Sequence, residues 1–228
     1  MPHTIAVDKS RQAGGPPPPP PEEPPGNGGG GGGDPAAPGM PAAGQPLLGN
    51  AQLAMIIFIA AELMFFAGFI GAFLVFRFSG KPWPPPFQPR LPVGVTAVNT
   101  VFLLASSFTF MRAKREIRRG EAGQLCTYLS ITGALGVLFL AIQGYEWIQM
   151  LNFGLTVSSG TYASTFYTII GTHAAHVSFG VVWLVAVLIR ARLGFYSSGK
   201  HTGVITCGMY WHLVVGLWPV LFFLVYLL

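Results

Sequence analysis

The sequence predicts an all-α protein: a polytopic membrane helical bundle of five transmembrane helices behind a disordered Pro/Gly-rich N-terminal tail. Three observations predict it. Only 9% of the 228 residues are charged and 51% are hydrophobic, whereas about a quarter of an average soluble domain is charged. Five apolar runs each reach the roughly 20 residues that a helix needs to cross a bilayer. The basic residues gather at the ends of those runs, which is how a membrane protein marks its cytoplasmic side. The net charge of +5 therefore reads as topology, and no nucleic-acid partner is expected.

Residues 1–47 contain PPPPPPEEPP and GNGGGGGGD. Such a tract has almost nothing to bury and is expected to stay disordered as a cytoplasmic tail. The membrane domain is expected over 48–228. Its spans run approximately 51–77, 93–113, 123–151, 161–192 and 203–228. Small residues recur in them, among them Gly68 and Gly71, Gly133 and Gly136, and Gly171 and Gly180. These are expected to let helices approach closely where no hydrophobic drive exists between them. Spans three and four exceed the hydrocarbon thickness and should tilt or protrude.

The first connection, SGKPWPPPFQPRLP, is dense in proline, which cannot continue a helix. It reads as a rigid outer loop with Trp83 at the interface. Counting lysine and arginine sets the orientation. With the N-terminus inside, the inner side holds Lys9, Arg11, Arg112, Lys114, Arg115, Arg118, Arg119, Arg190, Arg192 and Lys200. The outer side holds only Arg77, Lys81 and Arg90. The expected topology puts the N-terminus in the cytoplasm and the C-terminus on the opposite side of the membrane. Cys126 and Cys207 lie in or beside apolar spans and read as buried thiols, not as a disulfide or metal framework.

Ionisable residues inside a membrane are costly and face a bundle interior. Glu62, in AAELMFFAGF, falls roughly at mid-bilayer, where a charge costs on the order of 3 kcal/mol or more. Two readings are open: a carboxyl hydrogen-bonded to a neighbouring helix, or a role in lipid binding, proton movement or subunit contact. Glu146, in QGYEWI, lies near the outer end of span three between Tyr145 and Trp147, which read as an aromatic belt. It is expected to reach headgroup water.

His173 and His176 are three residues apart and so share one helix face, with Thr172 adjacent. His212 stands in CGMYWHLVV. A neutral imidazole both donates and accepts, so packed, hydrogen-bonded histidines sheltered by other helices are expected. A metal site would need three or more convergent ligands, and neither E-x-x-H nor H-E-x-x-H is present. Haem ligation would need a histidine pair across two helices, for which His173 and His212 are the pair to consider. The expectation is that this chain binds no metal or cofactor of its own. No Walker motif, nucleophile elbow or G-x-G-x-x-G loop stands in the chain. A free-standing proton-coupled carrier using Glu62 and the histidines is the alternative, but five spans without an internal repeat fit that class poorly.

Several segments together resemble one family. AAELMFFAGFIGAFL resembles the glutamate-containing helix of subunit III of the haem–copper oxidases, and LPVGVTAVNTVFLLASSFT resembles the helix that follows it. AIQGYEW, STFYTIIGTHAAHVSFG, and KHTG followed by MYWHLVVGLW resemble later blocks. The five blocks occur in order over nearly all of residues 50–228, in the five-helix bacterial form. The resemblance implies a non-catalytic subunit of a cytochrome c oxidase complex. It would pack on subunit I, which holds the haems and copper, beside subunit II and other subunits. It would bind structural phospholipid and support proton uptake and turnover stability. Glu62 matches the family's buried glutamate, His173 and His176 its paired histidines, and Trp211 and His212 the W-H of its last helix. The implied roles are lipid-binding or proton-related for Glu62, Trp211 and His212, and interhelical polar contact for His173, His176 and Glu146. Two positions depart from the pattern, because Val215 and Ile205 stand where the family commonly has acids. A related subunit of nitric oxide reductases shares the architecture.

Overall fold

The computed structural model describes residues 49–80, Trp83 and 93–228. The N-terminal tail and most of the proline-rich connection lie outside the described residues. All five predicted spans are present as helices: α1 (Asn50–Arg77), α2 (Val93–Arg119), α3 (Ala122–Asn152), α4 (Thr161–Arg192) and α5 (Thr202–Phe222). A five-residue π-helical turn, Phe223–Leu227, continues α5. Each of the five is long and apolar enough to cross a membrane.

One boundary differs from the sequence reading. α2 does not end where the apolar run ends, but continues to Arg119. Apolarity measures what hydrocarbon accepts, whereas Lys, Arg and Glu are good helix formers in water. The helix stops at Gly120, whose φ of +83° is backbone that a side chain disfavours. Pro219 lies inside α5, where it removes one intrahelical donor. In the widened turn that follows, Val225 and Tyr226 are buried in the core.

α2, α3, α4 and α5 form a ring in which each packs on the next and α5 closes back on α2. α1 sits outside that ring, against α5 and α4. Its buried residues are Met55, Phe66 and Phe73, a narrow seam at helical spacing, while Met64 on the opposite side is 77% exposed.

The glycines divide accordingly. A methyl group on Gly136 would come 2.7 Å from the Trp211 ring, and one on Gly180 would come 3.1 Å from the same ring. Trp211 is thus wedged between α3 and α4. Gly68 and Gly71 have nothing within 4 Å of that position. The close approach expected at this α1 pair is not made, because the seam turns both glycines outward.

Candidate functional site

Glu62 lies about 18 Å along α1, counting 1.5 Å per residue from Asn50, so it is near the middle of the span. His176 lies midway along α4. Its Nε2 is 2.9 Å from Glu62 Oε2, and its Nδ1 is 2.7 Å from the carbonyl oxygen of Thr172. A carbonyl oxygen only accepts. Nδ1 therefore carries a hydrogen, and the contact to Glu62 must contain one further proton, on oxygen or on nitrogen. Either arrangement leaves the pair with no net charge, which is how an acid is accommodated at this depth.

The pair is not sealed in. The side chains of His176 and Glu62 are 21% and 17% exposed, and they line an open groove of about 310 Å³ with Phe58, Ala175, Phe179 and Tyr210. Phe66 stands edge-on to the imidazole with ring centroids 5.1 Å apart. Tyr210 Oη donates to the His176 carbonyl oxygen at 3.1 Å, tying α5 to the same turn of α4. A second groove, lined by Phe69, Ala72, Phe76, Ser164, Thr165 and Thr168, opens further along the α1–α4 seam.

His173 goes elsewhere. One turn before His176, it is 1% exposed and stacks on Trp218 with centroids 5.0 Å apart. A separation of three residues leaves the two side chains about 60° apart around the helix, so His176 meets Glu62 of α1 while His173 turns toward Trp218 of α5. Trp218 donates its indole N–H to Thr100 Oγ1 at 2.8 Å.

Glu146 does not reach headgroup water as its flanking aromatics suggest. It is 4% exposed. Thr96 Oγ1 donates toward its two oxygens at 3.2 and 3.0 Å, and Gln143 Nε2 lies 3.3 Å from Oε2. Gln143 Nε2 is also 3.2 Å from Tyr226 Oη. Tyr145 is the outward residue at 62% exposed, whereas Trp147 packs against Tyr167.

Trp211 and His212 meet the adjacent serines of α2. Trp211 donates from Nε1 to Ser106 Oγ at 3.1 Å, and His212 Nδ1 is 2.6 Å from Ser107 Oγ. Trp211 is fully enclosed and presents no lipid-facing surface, while His212 is half-buried with Phe110 edge-on to its ring. Glu62 and His212 therefore serve different seams, α1–α4 and α2–α5. Val215, one turn after His212, is buried in the core.

Among the described residues no three His, Cys, Asp or Glu side chains converge. His173 and His212 address different neighbours, so they do not form the pair that haem would need. These residues do not fit a haem or copper centre. Thr96, Gln143, Trp218, Tyr226 and Tyr210 are not marked out by the sequence, because hydroxyls, amides and an indole N–H in an apolar run carry no charge signal. The period of α3, which places Gln143 and Glu146 on one face, is the signal that links the first of them to the acid.

The sequence is similar to those of known proteins. The sequence profile of the family described as cytochrome c oxidase subunit III matches residues 46–228. A protein named cytochrome c oxidase subunit 3 in Synechocystis is 39% identical over 184 residues, which is 79% of this chain and 78% of that one. Its namesake in Bacillus subtilis is 33% identical over 183 residues, covering 78% of this chain and 86% of its own. Another, in Ornithorhynchus anatinus, is 35% identical over 178 residues, with 75% and 67% covered. With the glutamate helix, the serine pair and the tryptophan–histidine pair each seated in its own helix, the chain belongs to the cytochrome c oxidase subunit III family.

Proposed function

We propose that this chain is a non-catalytic subunit III of a haem–copper terminal oxidase, packed on subunit I with subunit II and the other subunits beside it. Its part is to hold lipid and to support proton uptake and the lifetime of the complex during turnover. The haems and copper belong to the partner subunits. The observation that carries the reading is the Glu62–His176 pair, placed mid-span and open on one side to an apolar groove. A groove of Phe58, Phe179 and Tyr210 at that depth suits an acyl chain, since headgroups lie roughly 15 Å away at the interface. The neutral pair gives the groove a proton-holding floor.

Charge counting supports a cytoplasmic N-terminus and a periplasmic C-terminus in a bacterial inner membrane. Arg190, Arg192 and Lys200 would then meet anionic lipid at the cytoplasmic face, and residues 48–228 would form the membrane domain behind the tail.

The test uses the oxidase purified through this chain, with its subunits identified and its visible spectrum recorded. Haem signals and a co-purifying subunit I are expected. In a Glu62→Gln variant, assembly should persist while bound phospholipid or the number of turnovers before inactivation changes. A preparation without the oxidase subunits would overturn the assignment. Unchanged lipid content and unchanged inactivation would overturn the role of Glu62.

A further inference from the structure

Five buried side-chain polar atoms have no protein partner among the described residues: Asn99 Oδ1, Gln143 Oε1, Trp147 Nε1, and both ring nitrogens of His173. Four of the five belong to Asn99, Gln143 and His173, which come from α2, α3 and α4 and face the interior of the helix ring. Such atoms are rare in folded proteins, and within a bilayer there is no bulk water to satisfy them.

The three residues are linked by their neighbours. Asn99 Nδ2 donates to the Phe139 carbonyl oxygen at 3.1 Å, and the Phe139 ring meets Trp218 with centroids 4.9 Å apart. Trp218 stacks on His173 and is also near Tyr226, which bonds Gln143. Counting 1.5 Å per residue from the helix ends on that side, Asn99, Gln143 and His173 lie roughly 9, 14 and 18 Å deep.

Amide reorientation does not remove the problem. Turning Asn99 over would set its oxygen against the Phe139 carbonyl oxygen. Turning Gln143 over would let Tyr226 Oη donate to its oxygen but would leave its amide N–H₂ as the free group instead. Asn99 therefore offers a fixed acceptor, Gln143 an amide end in either orientation, and neutral His173 one donor and one acceptor. Water, with two hydrogens to give and two lone pairs to receive, complements that set.

We propose that this layer is an internal water site, held by Asn99 Oδ1, Gln143 Oε1 and the His173 ring, and continuous through Gln143 with Glu146. The inference rests on the ring of α2–α5 and is independent of the oxidase reading. His173 is then a water-anchoring residue and not a packed apolar surrogate.

The test is cryo-electron microscopy of the native complex at a resolution that shows ordered water. Density is expected within hydrogen-bond distance of a His173 ring nitrogen and of Gln143 Oε1 or Asn99 Oδ1. A layer with no such density overturns the proposal. The second measurement is His173→Phe in the full complex, followed by thermal unfolding and by radiolytic hydroxyl labelling. Among the described residues His173 makes no protein hydrogen bond, so in a dry core this replacement would leave the midpoint unchanged or raise it, and either result overturns the proposal. Depriving a bound water of its imidazole partner should instead lower the midpoint by about 2–4 °C. It should also reduce radiolytic oxidation of Trp218 several-fold, and equal oxidation in both proteins counts against the site.

Discussion

Glu62 on α1 meets His176 on α4 across the seam between the outlying helix and the ring, Nε2 to Oε2 at 2.9 Å. Removing the imidazole should loosen that seam. His176→Ala is expected to destabilise the attachment of α1 by about 1–2 kcal/mol, the upper range for one polar interhelical contact in a bilayer. Disulfide trapping between cysteines introduced at the exposed rim of the seam checks it. The trapping rate should rise or become heterogeneous in the variant, and an identical rate contradicts the role of the pair.

The two kinds of glycine should respond oppositely. Gly136→Ala forces a methyl into a gap already filled by a rigid indole, and overpacking of this kind costs about 1–3 kcal/mol. Gly68→Ala meets open space and gains helix propensity, so it should be neutral or stabilising by up to about 1 kcal/mol. Thermal midpoints of the two variants in the same detergent decide the matter, and Gly136→Ala must be the lower.

Trp211 rests its indole N–H on Ser106 Oγ. Ser106→Ala leaves that buried donor without its acceptor, at a cost of about 1–3 kcal/mol. Ser107→Ala strips a half-buried histidine that retains other access, and should cost less. The ranking Ser106→Ala below Ser107→Ala in thermal midpoint is the expected outcome. The reverse ranking would show that the histidine, not the tryptophan, secures α5 to α2.

Thr96→Val keeps the shape of the side chain and deletes the hydroxyl that faces Glu146. The carboxyl then leans on the longer contact to Gln143. A destabilisation of about 1–2 kcal/mol is expected, and Glu146→Gln in the same background should recover part of it, since an amide tolerates the poorer environment better than an acid. A double-mutant cycle on unfolding midpoints measures the coupling, and a coupling of zero argues that the two groups are mere neighbours.

The helices are legible in the sequence because a bilayer imposes a single strong rule, and the ends of α1, α3 and α4 agree with the apolar runs to within a residue or two. α2 outruns its apolar stretch because its last turns leave hydrocarbon while remaining helix. Pairing is harder to read. Glu62 finds His176 at a separation of 114 residues and Glu146 finds Thr96 at 50, and nothing local specifies either. The different fates of His173 and His176 depend on which neighbour lies at each angle around α4. Gly68 and Gly71 look like the close-packing glycines of α3 in composition alone; only the position of α1 outside the ring separates them.

The seat of α1 on α4 and α5 has a consequence for biogenesis. A ribosome delivers Glu62 to the bilayer well before His176 emerges. At roughly 5–20 residues per second the interval is about 6 to 23 s. For that time the first-made span must wait in lipid, next to companions it will not finally embrace, carrying a carboxyl whose mate has yet to be translated. The mid-bilayer carboxyl thus spends its first seconds without the imidazole that later meets it.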